Sequence, residues 1–199
     1  MRLRHHSLPG RQRGVVLLIA LIVLVAMSLA GVALIRSVDT TVVAAGNVAF
    51  SQSALQSGDV GLHEAARWLE TKNGGPDLAI TNEGNGYFSA PPYPEPDWYD
   101  MASWAGASML VNGGTPDASG NVVRYVIHRL CQTPGKGWID NNCARAPGSA
   151  GSSGMSQTTT APPYEGTPKL FYRITSRVDG PRNTVSVSQG TVILPVPGG

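Results

Sequence analysis

The chain has 199 residues, enough for one domain and an accessory segment, and only 14% of them are charged. Its formal net charge is +2, yet Arg2, Arg4, Arg11 and Arg13 all precede Val15; without them 11 basic residues face 13 acidic ones. The body therefore has a slight acidic excess, which excludes a broad electrostatic footprint for nucleic acid.

Residues 1–14 form a basic leader. Val15 to Ile35 then runs 21 residues without a charge. As a helix this measures ~31 Å, about the thickness of a bilayer's hydrocarbon core. The leader arginines outweigh Arg36 beyond the run, so the N-terminus is expected in the cytoplasm and the remainder exported. Three readings compete. A cleaved secretory signal has a shorter apolar region, and Ser28-Leu29-Ala30 before Gly31 resembles its cleavage site, but the apolar run continues past that point. A plain uncleaved anchor satisfies hydropathy equally well.

The third reading rests on the junction "RQRGVVLLIALI". A basic leader ending in Gly14 and followed at once by an apolar helix resembles the type III signal sequence of type IV pilins and pseudopilins. The resemblance implies that prepilin peptidase cuts between Gly14 and Val15 and that the apolar helix survives as the packing helix of a filament. Most pilins carry glutamate at the fifth mature position; here that position is Ile19. In the family the glutamate is thought to offset a neighbouring subunit's buried ammonium, a charge that is expensive in an apolar core. A chain without it suits a filament tip, where no subunit lies ahead. The same departure occurs in PilX-type minor pilins and in the largest minor pseudopilins of type II secretion. The segments "QRGVVLLIALIVLVAMSLAGVALIRS" and "AAGNVAFSQSALQSGDVGLHEAARWLE" resemble the N-terminal region of PilX-type pilus assembly proteins, and "YRITSRVDGPRNTVSVSQGTVI" resembles their final strands.

After a span at 15–36, residues 37–72 read as an amphipathic helix. Leu55, Leu62 and Leu69 recur every seven residues, with Ala65 and Ala66 beside them. Gly46, Gly58 and Gly61 each disfavour a helix interior by up to ~1 kcal/mol, so a bend or fraying is expected, near Ser37–Thr41. Asn73-Gly74-Gly75-Pro76 is a stop. Residues 73–199 should then form a globular periplasmic domain. Pro76 to Gly120 is turn-rich, and "APPYPEPDWYD" (Ala90 to Asp100) reads as a surface loop whose rings cover the core's edge; a ligand for proline-binding grooves is the alternative.

Three strands are expected, at Val122–Leu130, Leu170–Val178 and Thr184–Leu194. In the second, Leu170, Tyr172, Ile174 and Val178 point one way and Arg173, Thr175 and Arg177 the other. Gly190 is a candidate bulge. Residues 146–163 have the composition of a mobile loop. The expected fold is α+β and pilin-like: a long N-terminal helix on a C-terminal antiparallel sheet with long loops.

Cys131 and Cys143 have no companion cluster for zinc. In an exported domain a disulfide is the natural reading, and two unpaired buried thiols are the alternative. Other chemistry is sparse. His63-Glu64 lacks a second histidine at zincin spacing, and His128 alone makes no site. Asp140-Asn141-Asn142 reads as a turn before a calcium loop. Glu95, Asp97 and Asp100 have no evident partner base, and Gly148–Gly154 contains no nucleophile elbow. No enzyme, metal or cofactor is indicated.

The resemblance implies a minor pilin that primes pilus assembly at or near the tip. Its partners would be other minor pilins, the major pilin, prepilin peptidase, the inner-membrane assembly platform and the membrane, with no nucleic acid. It would reside in the inner membrane and then in the extracellular pilus. The alternatives are a single-span anchored periplasmic binding or catalytic protein, and a minor pseudopilin of type II secretion.

Overall fold

A computed structural model describes residues 14–72, 75–106, 108–148 and 166–196. The leader at 1–13, Asn73-Gly74 and residues 149–163 of the expected loop lie outside the described residues.

Helix α1 runs from Val15 to Lys72 without interruption, so the expected bend at Ser37–Thr41 does not break it. No proline occurs within it, and proline is the residue that would both remove a backbone donor and clash with the preceding turn. Its end is built locally. Pro76 disfavours helical geometry at Gly75, which lies at φ −58°, ψ 167°. The Gly75 amide closes the last turn on the Lys72 carbonyl at 2.7 Å.

The chain divides into two compact units, residues 1–48 and 49–199. In the first, the described residues are helix whose large aliphatic side chains are exposed, from Val15 through Val48. Ser28 is the one polar side chain between Val15 and Ile35, and its hydroxyl donates to the Leu24 carbonyl at 2.8 Å. The span therefore carries no unsatisfied side-chain polar group, as an apolar solvent requires.

The second unit holds the C-terminal part of α1 and a six-stranded sheet: β1 (Tyr87–Phe88), β2 (Met109–Leu110), β3 (Val122–Arg129), β4 (Arg145–Gly148), β5 (Gly166–Asp179) and β6 (Val185–Pro195). β5 is the spine. β6 pairs along one edge; β3 and β4 share the other, all antiparallel. The far edge of β3 receives β2 antiparallel and β1 parallel. The sheet is thus mixed, not purely antiparallel as the sequence suggests. A parallel pair needs a long crossover; the turn-rich segment from Ser89 to Asn121 is that crossover. Gly86 allows the approach: it sits at φ +64°, and a Cβ there would lie 2.9 Å from the Tyr125 carbonyl oxygen.

Two boundaries differ from expectation. Residues 146–148 belong to β4, where pairing with β5 spares them from the loop; the register shift falls there, between Ala146 and Gly148. Gly190 is not a bulge: it pairs regularly with Ile174, and Leu62 of α1 packs above it.

The face of the sheet toward α1 carries Val123, Tyr125 and Ile127 of β3 and Leu170, Tyr172, Ile174 and Val178 of β5, all buried. Against it α1 places Ala54, Ser57, Gly58, Gly61, Ala65 and Leu69. This stripe follows helical spacing, but apart from Leu69 its members are small. Of the leucine heptad, only Leu69 belongs to it; Leu62 is half-buried and Leu55 54% exposed. Small residues win the seam because the backbones come close. A Cβ on Gly61 would meet Ser176 Oγ, and would lie 2.8 Å from Val123 Cγ1.

The opposite face reads as polar and is buried too. Val126, His128, Thr175 and Arg177 are all at most 4% exposed. The cover comes from the proline-rich segment and the residues after it. Trp104, 1% exposed, donates its indole N–H to the Trp98 carbonyl at 2.9 Å. Trp98 of the loop and Trp104 after it therefore lie on the β3–β5 part of this face, while Tyr93 and Tyr99 are exposed.

Candidate functional site

The three junction residues occupy the start of α1. Gly14 is the turn residue before the helix, and its carbonyl accepts from the Leu18 amide at 3.4 Å. Val15 is the first helical residue and Ile19 lies one turn further; they are 61% and 54% exposed. An 18-residue window of this helix has mean hydropathy 3.1 and none of it is buried. It is long and apolar enough to cross a membrane, as in a single-pass membrane protein.

Cys131 and Cys143 form a disulfide. Their backbones meet as an isolated antiparallel bridge, and the loop between them is tied twice more. Asn141 Oδ1 accepts from the Thr133 amide at 3.0 Å while its Nδ2 donates to the Thr133 carbonyl at 2.6 Å. Asn141 thereby ties the two arms of the disulfide loop across eight residues. Among the described residues no cluster of three or more His, Cys, Asp or Glu is placed to hold a metal.

The acidic cluster of the proline-rich segment acquires partners. Asp97 and Asp100 accept from the amides of Tyr99 and Ala102 at 2.9 and 3.0 Å, shaping the loop. Glu95 pairs with Arg173 at 2.8 Å and accepts from the Trp98 indole at 2.6 Å. Burial alone would raise its pKa; the hydrogen bonds from Trp98 and Arg173, with the arginine's charge, outweigh it and bring the carboxyl below its usual value. On β5, Arg177 donates to the Tyr99 carbonyl at 2.6 Å and to Asp179 at 2.7 Å. These ion pairs and carbonyl contacts fasten the loop to the sheet.

His128 lies under that cover, stacked on Phe88 with ring centroids 5.2 Å apart and beside Trp98 at 5.7 Å. Its Nδ1 is buried without a hydrogen-bond partner among the described residues. Burial, reinforced by Arg173 and opposed by Glu95, pushes its pKa down to about 4. A neutral imidazole filling an aromatic layer is a packing role. His63 and Glu64 lie on exposed α1, where Glu64 meets Arg67 at 3.4 Å.

Sequence reading missed Arg129. Alternation along β3 was a usable signal, because period two puts it on the face of Tyr125 and Ile127. It pairs with Tyr172 of β5 and is 2% exposed, at the edge of a cavity of about 300 Å³ beside the disulfide loop. Burial pushes the Tyr172 hydroxyl up to about 12 against the opposing pull of that guanidinium.

The geometry defines an α+β protein with one candidate membrane-spanning helix and a disulfide-bonded sheet domain. Comparison with protein-family models, curated proteins and solved structures gives no match.

Proposed function

We propose that the chain is a minor pilin of the PilX type that primes type IV pilus assembly and sits at or near the filament tip. Prepilin peptidase cuts between Gly14 and Val15, and the apolar part of α1 then leaves the bilayer to pack among helices of other minor pilins. The sheet domain, on the periplasmic side, meets their globular domains.

One observation carries the reading. α1 begins at the residue after the leader glycine and presents large aliphatic side chains well beyond the length of a bilayer span. Val38, Val42, Val43, Val48, Leu55 and Val60 are each about half exposed or more, although they follow Arg36 and share their helix with Asp39 and Asp59. A tether needs only the span; aliphatics continuing along the same helix suit side-by-side packing with other helices.

N-terminal sequencing of the mature protein tests this. A start at Val15 is expected, with Gly14→Val leaving uncut precursor in the inner membrane, because the peptidase must accommodate a residue with almost no side chain. A mature chain that keeps Met1, or starts at Gly31, refutes the proposal in favour of a tethered or secreted protein.

A further inference from the structure

The cavity beside the disulfide loop has apolar walls and a cation at its base. Leu78 comes from the turn after α1, Leu170 and Tyr172 from β5, Trp138 from the disulfide loop and Val196 from the chain after β6. Arg129 enters from the end of β3. Its Nε donates to the Ser89 carbonyl at 3.1 Å and its Nη2 to the Lys136 carbonyl at 2.6 Å. Both partners are neutral, and Nη1 has none among the described residues. Arg129 forms no ion pair there either, in contrast to Arg67, Arg124, Arg173 and Arg177. Asp140, the one carboxylate of the lining, is exposed and unpaired with Arg129.

A charge taken out of water is costly until an anion meets it, and this guanidinium meets only two neutral carbonyls. Arginine's fork matches a carboxylate in two parallel hydrogen bonds. The walls around it are mainly apolar, with the Tyr172 phenol and, at the exposed side, Asp140 as their polar side chains. We propose that this cavity binds a small carboxylate with an apolar body, the carboxylate on Arg129 and the body among Leu78, Leu170 and Trp138. A volume of about 300 Å³, at the packing density of protein interiors, admits on the order of ten non-hydrogen atoms. That limits the ligand to a short aliphatic or single-ring aryl carboxylate.

The test uses the full chain in lipid nanodiscs, titrated by calorimetry with 4-phenylbutyrate and its uncharged analogue 4-phenylbutyramide. The acid is expected to bind about tenfold or more tightly than the amide. Arg129→Gln should erase that preference. Ala79→Trp, which leaves Arg129 intact and fills the cavity wall, should abolish binding of both. Variants are compared only where the disulfide and tryptophan fluorescence match wild type, so loss through misfolding is separated from loss of the site. Equal affinity for acid and amide, no heat up to about 10 mM acid, or binding unchanged by Ala79→Trp overturns the proposal; the last assigns the signal to lipid partitioning.

Discussion

Gly58 and Gly61 lie one helical turn apart on the buried stripe of α1, and alanine should act oppositely at the two. In a helix interior alanine is favoured over glycine by about 1 kcal/mol. At Gly58 that gain is nearly free: the new Cβ would stand 3.2 Å from Ser188 Oγ and 3.6 Å from Val178 Cγ2, so a few tenths of an ångström of movement suffices. Net stabilisation of roughly 0.5 kcal/mol is expected. At Gly61 the Cβ would overlap Ser176 Oγ and lie 2.8 Å from Val123 Cγ1, both on strands at the sheet's centre. Overpacking of that kind costs about 1–3 kcal/mol; set against the helix gain of about 1 kcal/mol, it leaves a net loss of about 0–2 kcal/mol. The two variants should therefore differ by about 1.5 kcal/mol, or roughly 3–6 °C in Tm for a unit of this size. All four tryptophans lie in the second unit, so intrinsic fluorescence during thermal unfolding reports on the sheet and its helix alone. Ser176→Ala supplies the control. It removes a buried hydroxyl that has no partner among the described residues, so alone it should be neutral or stabilising, and with Gly61→Ala it should recover part of the loss. If Gly61→Ala is as stable as Gly58→Ala, the close seam is wrong and the helix packs through its leucines.

Acid should weaken the sheet unit through His128. Its pKa is about 4 when folded and 6.5 in an unfolded reference, so the unfolded chain takes the proton first as pH falls. Stability is unaffected above pH 6.5 and declines through the window down to pH 4, by about 3 kcal/mol in total. Unfolding free energies from urea titrations at the two ends of that window should differ by this amount in wild type and by much less in His128→Phe; an equal pH dependence in both would assign it elsewhere. Reduction of Cys131–Cys143, or serine at both, should cost about 3 kcal/mol by freeing a short loop in the unfolded state; an unchanged Tm in dithiothreitol refutes this. Ile19→Glu places a carboxylate in the apolar run at about 2–3 kcal/mol on insertion scales. At a filament tip it finds no ammonium ahead of it, so piliation should be unimproved or reduced, and quantitative immunoblots of sheared pili should give very few copies relative to the major pilin. A ratio approaching that of the major subunit would refute the tip position.

The elements visible in the sequence are those whose signal is local. A charge-free run followed by residues without proline marks α1, and Gly75-Pro76 marks its end. Alternation marks β3, β5 and β6 to within a residue or two, except that β5 starts earlier, at Gly166. Features made by long-range contact escaped. Arg173, Thr175 and Arg177 alternate like residues of a water-facing surface, and nothing local says that Trp98 and Trp104 will lie over them. β1 and β2 hold two residues each, too few for a pattern, and take their strand character from β3. The glycines of α1 look like defects when judged by propensity. At Gly58 and Gly61 they are contact points, which only the proximity of Ser188 and Ser176 reveals.

α1 thus answers two packing problems with two vocabularies. From Val15 to Ile35 it carries chiefly Val, Leu and Ile, with Ser28 as the one polar side chain, and its large aliphatics are exposed. From Ala54 to Ala65 its buried positions are Ala, Ser and Gly, which bring helix backbone against β-strand side chains. Large aliphatics give area to whatever surrounds them, lipid or helix, without demanding one shape. Small residues give little area and admit one close fit. On the proposed pilin reading, a helix that exchanges a bilayer for neighbouring helices needs the first kind of surface, because the environment changes while the side chains do not. A helix that must hold one sheet in one position needs the second, because a side chain at Gly61 would run into Ser176 and Val123. The small buried residues begin at Ala54, within the second compact unit, while Leu55 and Val60 keep large aliphatics on the exposed side of the same stretch.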